Sequence, residues 1–156
     1  MPLIIDSSNI NKYLKNTAPY VFVDYAEVFP GQSAKGEKLF TYNEILFNRD
    51  LSKKIFVPQA LYLEALIQTA ALSLYALQDP LIDFIYLNKL TKASFVENII
   101  SGEKLEIKAE IQKNRRGFID AFGESFVLRD KKSLKICSAN FQFLVPGILS
   151  SLSPSK

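Results

Sequence analysis

The chain has 156 residues, 48% of them apolar and 22% charged, which suits one globular domain with a single sizeable core and excludes a disordered polymer. A formal charge of +3, with basic and acidic residues interleaved, is too small and too scattered for a nucleic-acid surface. With no histidine and a single cysteine, Cys137, a histidine or multi-cysteine zinc site and an internal disulfide are both excluded, which fits a reducing cytoplasm.

The first residues, Met1-Pro-Leu-Ile-Ile-Asp6, have neither a basic region nor a long apolar run and do not read as a secretory signal. Ser7, Ser8 and Asn9 precede Ile10, Tyr13 and Leu14 at helical spacing, so a short outer helix is expected over 7–15. Pro19 ends it, and residues 20–28, rich in β-branched and aromatic side chains, predict a strand. Pro30-Gly31 marks a turn, after which 37–42 returns as a second strand across a long loop. Residues 43–57 show no period and crowd Arg49, Asp50, Lys53 and Lys54 before the next element, as a structured loop where a site could be built.

Residues 55–77 are the most continuous apolar run and carry one charge, Glu64. Pro58 fits a first helical turn, and the Ala, Leu and Gln that follow favour a helix from Pro58 to Leu77. Apolar residues surround nearly its whole circumference, so it is expected to be wrapped by other structure. Gln59, Glu64, Gln68 and Thr69 interrupt the run, and a central carboxylate is costly in lipid, which argues against a membrane span. In a protein interior the same carboxylate requires a hydrogen bond or a proton.

After Asp79-Pro80, residues 84–96 predict a strand bent near Asn88, and 98–102 a turn. Over 104–112 Leu105, Ile107, Ala109 and Ile111 alternate with Lys104, Glu106, Lys108 and Glu110, the pattern of a strand with one wet face. Two further strands are expected over 118–128 and 134–145, with Cys137 as a packing residue. Pro146-Gly147 ends the domain, 1–146, and leaves 147–156 as a tail. This order predicts an α+β fold, one antiparallel sheet curled around one buried helix.

Several segments taken together resemble the hotdog-fold (3R)-hydroxyacyl-acyl carrier protein dehydratases of bacterial fatty acid synthesis. They are Pro19 with Val21-Phe-Val-Asp24, Asn43-Glu44, Phe47, Phe56, Pro58, Glu64-Ala65 with Gln68, Ser101-Gly-Glu-Lys-Leu-Glu106 and Lys113-Asn-Arg-Arg-Gly117. The likeness runs over about residues 10 to 145, and Asn43 to Glu64 follows the family pattern without a gap. It implies that Glu64 is the carboxylate that protonates the departing hydroxyl. It further implies that Gln59, at the helix N-terminus, offers a backbone N–H to the thioester carbonyl, with Pro58, Gln68, Phe47 and Phe56 around the substrate.

Where the family reads Gly-His-Phe-Pro, this chain reads Arg49-Asp50-Leu-Ser52, so Asp50 stands at the histidine's place. An aspartate accepts a proton, but with a reference pKa of about 3.9 against about 6.5 for histidine it is a weaker base. The resemblance implies an acyl carrier protein or coenzyme A thioester as partner and no cofactor, since phosphopantetheine arrives with the substrate. It implies a cytoplasmic homodimer, or a heterodimer with a histidine-containing paralogue, or a higher oligomer. Three activities are therefore carried forward: dehydration by Asp50 and Glu64, a half-site lending Glu64 to another chain, and thioester hydrolysis at Glu64. The basic turn Lys113, Arg115, Arg116 and the turn Arg129-Asp-Lys-Lys132 are candidate docking points for an acidic carrier.

Overall fold

The computed structural model describes residues 1–44 and 55–151. Its element order is β1 (Leu3–Asp6), a 3-10 turn (Ile10–Lys12), β2 (Tyr25–Phe29), β3 (Ser33–Leu39), α1 (Gln59–Tyr75), β4 (Tyr86–Phe95), β5 (Lys104–Arg115), β6 (Phe118–Arg129), β7 (Lys132–Leu144) and α2 (Pro146–Ser151). The seven strands form one antiparallel sheet in the order β1-β2-β3-β5-β6-β7-β4. Helix α1 packs on its inner face, against β5, β3, β6, β7 and β2. This is the expected helix wrapped by a sheet, a hotdog fold.

Pro58 caps α1 from just outside it, in an extended conformation (φ −57°, ψ 134°), rather than occupying its first turn. The helix ends two residues before the expected Leu77, with Gln78 at positive φ beyond it. Tyr62, Ala65, Leu66, Ala70 and Leu74 are buried in a core shared with Leu105, Ile107, Ala109, Ile119, Ala121, Phe141 and Phe143. The alternation expected for β5 is therefore a true two-faced strand, with Leu105, Ile107 and Ala109 inside and their charged neighbours outside.

The N-terminal third departs from expectation. The outer helix over 7–15 is only a three-residue 3-10 turn, and Ile10, Tyr13 and Leu14 point into a second core with Ile5, Val28, Leu72 and Ala76. Strand β1 was not anticipated, because four residues are too few to show a period. The first hairpin is tight, with Gly31 at φ 71° and the Gln32 N–H donating to the Phe29 carbonyl, so β3 begins at Ser33 rather than 37.

Gly36 disguises β3 as a loop in the sequence, yet the packing requires it. A β-carbon there would lie 2.6 Å from Thr69 Oγ1, and Thr69 is fully buried with its hydroxyl bonded to the Ala65 carbonyl at 2.8 Å. Asn88, where a bend was expected, sits at a register shift between Leu87 and Lys89. Beyond the expected domain end, Pro146–Ser151 form α2, and Ile148 packs on the main core. No described helix is long and apolar enough to cross a membrane.

Gly36→Ala is expected to lower stability by about 1–3 kcal/mol, the usual cost of overpacking a close contact. Urea unfolding of Gly36→Ala, Thr69→Ala and the double variant measures it. The double variant should lose less than the sum of the two single ones, because removing the threonine hydroxyl and methyl makes room for the new methyl.

Candidate active site

Glu64 lies on the part of α1 that faces β4, partly exposed. One turn further on, Gln68 is 3% exposed and spends its whole amide on fixed partners. Its Oε1 accepts the Phe22 backbone N–H at 2.8 Å, and its Nε2 donates to the Tyr20 carbonyl at 2.8 Å and to Glu64 Oε1 at 2.9 Å. The Phe22 N–H can only donate, so the amide oxygen must face it and the amide nitrogen must face Glu64. Gln68 therefore staples the extended segment 20–22 to the helix and holds the carboxylate in one orientation. Among the described residues it is the hydrogen-bond partner that Glu64 has.

The carboxylate opens into a cleft of about 160 Å³ lined by Leu14, Asn16, Glu64, Ile67, Gln68, Ala71, Tyr75, Ile85, Leu87 and Phe143. Ile67, Ala71 and Tyr75 were not singled out from sequence, although they follow Glu64 at offsets of 3, 7 and 11 and so share its face of the helix. Across the cleft the Ile85 N–H donates to the Tyr75 hydroxyl at 3.2 Å, tying the helix end to the approach of β4. Burial pushes the Tyr75 hydroxyl above its ordinary pKa, a shift the Ile85 hydrogen bond partly offsets. A depression of about 280 Å³ on the outer sheet face, lined by Tyr25, Glu27, Lys35, Glu37, Glu106 and Lys108 among others, holds none of the candidate residues.

The remaining candidates are distributed as follows. Pro58 and Gln59 are exposed at the N-terminus of α1, with Gln59 about 7.5 Å along the axis from Glu64 at 1.5 Å per residue. Phe56 is exposed, pairs with Ile100 through the backbone and does not line the cleft. Asp50 and Phe47 lie outside the described residues, as does Arg49.

The described chain is anchored on both sides of that segment. Lys38, only 7% exposed, bonds Asp24 at 3.1 Å and Glu44 at 3.2 Å. On the other side, the Val57 N–H donates to the Ile99 carbonyl and the Ser101 N–H to the Ile55 carbonyl. The ion triad was not foreseen, because its three members lie on separate segments with no common spacing. Burying the lysine between two carboxylates offsets the cost of desolvating it.

Lys113, Arg115 and Arg116 are exposed at the β5–β6 turn, where Arg116 and Gly117 adopt positive φ. In the second basic turn Arg129 is already engaged, donating to Glu103 at 2.8 Å and to the Asn98 carbonyl at 2.6 Å. Cys137 is buried with its Sγ 3.2 Å from Ser125 Oγ, and burial pushes its thiol pKa up. The described residues contain no group of three His, Cys, Asp or Glu able to hold a metal.

Gln68→Leu should cost about 1–3 kcal/mol for the buried Phe22 N–H left without a partner, and less at the carbonyl of Tyr20, an exposed residue. Chemical denaturation gives the loss, and hydrogen exchange at Phe22 should accelerate in the variant.

No protein-family model matches the chain. It is 27% identical over 143 residues to a 3-hydroxyacyl-[acyl-carrier-protein] dehydratase FabZ of Ligilactobacillus salivarius, covering 91% of this chain and 99% of the relative. It is 28% identical over 114 residues to the FabZ of Clostridium botulinum strain Okra, covering 72% of this chain and 79% of the relative. Among solved structures, the dehydratase heterocomplex ApeI:P from Xenorhabdus doucetiae superimposes with a TM-score of 0.72 at 14% identity, covering 94% of this chain and 91% of the matched one. An acyl-CoA hydrolase mutant from Staphylococcus aureus, in complex with coenzyme A, matches with a TM-score of 0.56 at 10% identity, covering 72% of this chain and 64% of that one. The chain thus has the hotdog fold, and its sequence relatives are FabZ-like 3-hydroxyacyl-acyl carrier protein dehydratases.

Proposed function

We infer that this chain is a dehydratase-type hotdog subunit that holds a 3-hydroxyacyl thioester beside Glu64, with Glu64 as the acid. The observation that carries this reading is the orientation of Glu64 by Gln68 at the mouth of the α1–β4 cleft. In the reaction a base removes the C2 proton, the C3–oxygen bond breaks, and Glu64, as the general acid, delivers a proton to the leaving hydroxyl. The products are an enoyl thioester and water. The exposed N-terminus of α1 at Gln59 suits the thioester oxygen, because unsatisfied N–H groups there favour developing negative charge. No cofactor enters this chemistry.

Two sources of the base follow from the chain's lack of histidine. Asp50 of the same chain is one; a histidine from a second chain is the other. Two observations favour the second source. The cleft, at about 160 Å³, falls short of the roughly 300–1,000 Å³ of pockets that enclose a small-molecule ligand, so the described residues of one chain supply only part of an acyl site. The likeness to a dehydratase heterocomplex supports a two-chain assembly. Thioester hydrolysis at Glu64 is kept as the competing activity, supported by the likeness to an acyl-CoA hydrolase.

Incubation with 3-hydroxyacyl-carrier protein, alone and with a histidine-bearing hotdog chain, separates these readings. Enoyl product without free thiol is expected, and Glu64→Gln should reduce its formation by about 10²–10⁴-fold, the range for a positioned acid. Free thiol released at a rate that depends on Glu64 would instead establish the hydrolase. Turnover indifferent to Glu64 would remove the residue from the site.

For the carrier, the exposed turn of Lys113, Arg115 and Arg116 is the proposed contact with its acidic surface. Arg115→Glu with Arg116→Glu should weaken carrier binding by about tenfold or more and flatten its salt dependence. Titration calorimetry at two ionic strengths reads both, and unchanged affinity would discard this docking point.

A further inference from the structure

Tyr62, near the start of α1, is completely buried in the main core, yet its hydroxyl oxygen has no hydrogen-bond partner among the described residues. A buried hydroxyl without a partner is costly, and a phenylalanine would pack without that cost. The ring meets Phe95 of β4 edge to face, with centroids 5.8 Å apart and planes at 72°, a contact that makes no use of the hydroxyl. The neighbouring polar side chains leave it unanswered. Cys137 has its Sγ 3.2 Å from Ser125 Oγ, and Gln59 is exposed at the helix end. Burial pushes the Tyr62 hydroxyl above its ordinary pKa, Cys137 adds to the rise, and Gln59 partly offsets it without reaching hydrogen-bond geometry. The proton therefore stays on the oxygen, which is a donor in search of an acceptor.

Other donors at the same end of α1 also lack an acceptor. Helix side chains lean toward the N-terminus, so Tyr62 is directed back along α1 toward Gln59. There Pro58 makes no side-chain cap bond and the first turn carries no acid. The Leu61 N–H donates to the Pro58 carbonyl at 2.9 Å, while the N–H groups of Gln59 and Ala60 have no acceptor among the described residues. Such donors suit an oxygen that gains negative charge. Because the hydroxyl sits in an apolar core, a permanent anion beside it would be costly, whereas a carbonyl oxygen that turns negative only during reaction is not. Tyr62 precedes Glu64 by two residues, about 200° around the helix, and does not line the Glu64 cleft. Hydroxyl and acid thus act from different faces of α1.

We propose that Tyr62 is a further donor of the site, giving its O–H to the thioester carbonyl oxygen of a bound acyl chain alongside the N–H groups at the N-terminus of α1. The exposed Gln59 side chain is the cover that the ligand displaces to reach it. As the base removes the C2 proton, the electron pair left on C2 spreads onto that oxygen, and the phenol hydrogen bond strengthens while its proton stays on Tyr62. The pair then returns to form the C2–C3 double bond as the C3–oxygen bond breaks and the acid protonates the leaving hydroxyl. The proposal rests on the acyl-thioester reading of the site but does not need Glu64 to be the acid.

The probe is a 2-butenoyl pantetheine thioester, whose absorbance moves to longer wavelength when donors polarise its carbonyl. Whole-chain wild type, Tyr62→Phe and Glu64→Gln are titrated with it, and thermal unfolding is recorded for each. Wild type should bind the thioester with a red shift, and Glu64→Gln should keep that shift. Tyr62→Phe should bind about 2- to 10-fold more weakly, with a smaller shift and an unfolding midpoint equal to or above wild type, because the hydroxyl it removes is bonded to nothing. Where enoyl product forms, alone or with a histidine-bearing hotdog chain, Tyr62→Phe should lower kcat by about 10²–10³-fold, the loss usual for one such donor, and change KM far less. A shift in Tyr62→Phe as large as in wild type would overturn the proposal, as would a wild type that leaves the probe unbound or unshifted. A lowered midpoint in Tyr62→Phe would mark the hydroxyl as a structural bond and overturn it too. Turnover indifferent to Glu64, with the shift still dependent on Tyr62, removes the acid and leaves this donor standing.

Discussion

The structure depends on covering α1. A helix that is apolar around most of its circumference must be enclosed, and a single sheet encloses it only by curving around it and approaching it closely. The approach is close at Gly36, where the β3 backbone meets Thr69 with no room for a methyl group. From that contact the sheet spreads to β1 on one side and β4 on the other. Among the described residues the enclosure is incomplete on the side of the helix toward β4, and it is there that Glu64 is partly exposed beside the cleft.

Gln68 fixes the carboxylate that borders this gap. Its amide is consumed by the backbone of Tyr20 and Phe22 and by Glu64, so the same side chain that fastens the N-terminal segment to the helix also fixes the carboxylate. Fold and site are coupled through one amide. The buried Lys38, between Asp24 and Glu44, performs a comparable task at the end of β3, fixing the last described residue before the segment that contains Asp50. The Arg129–Glu103 pair does so for the approach to β5. In each case a polar group is retained where the chain must leave the sheet at a set angle.

In the proposed elimination one group removes the C2 proton while Glu64 protonates the leaving hydroxyl. The chain contains no histidine, so the proposed base is Asp50 or a group of a second chain. The strand beside the cleft, β4, is exposed along nearly its whole length and carries Leu87 and Leu90 on its inward face. The cleft beside Glu64 and the exposed edge strand lie on the same side of the helix.

The sequence by itself determined the elements whose pattern is local: the buried helix, the two-faced strand β5, the β6 and β7 strands and the irregularity at Asn88. It also marked Glu64 as the one charge in an apolar run, and the family likeness supplied the hotdog fold. What it could not determine depended on contacts between distant segments. Gly36 and Lys35 read locally as loop residues, and only the approach of Thr69 shows why a glycine occupies a strand there. The Lys38 triad and the Gln68 staple join residues up to 48 positions apart, a separation that leaves no periodic trace. The exposure of β4 was invisible for the same reason: whether a strand is central or at an edge is decided by which strands pair, and pairing is a property of the folded chain.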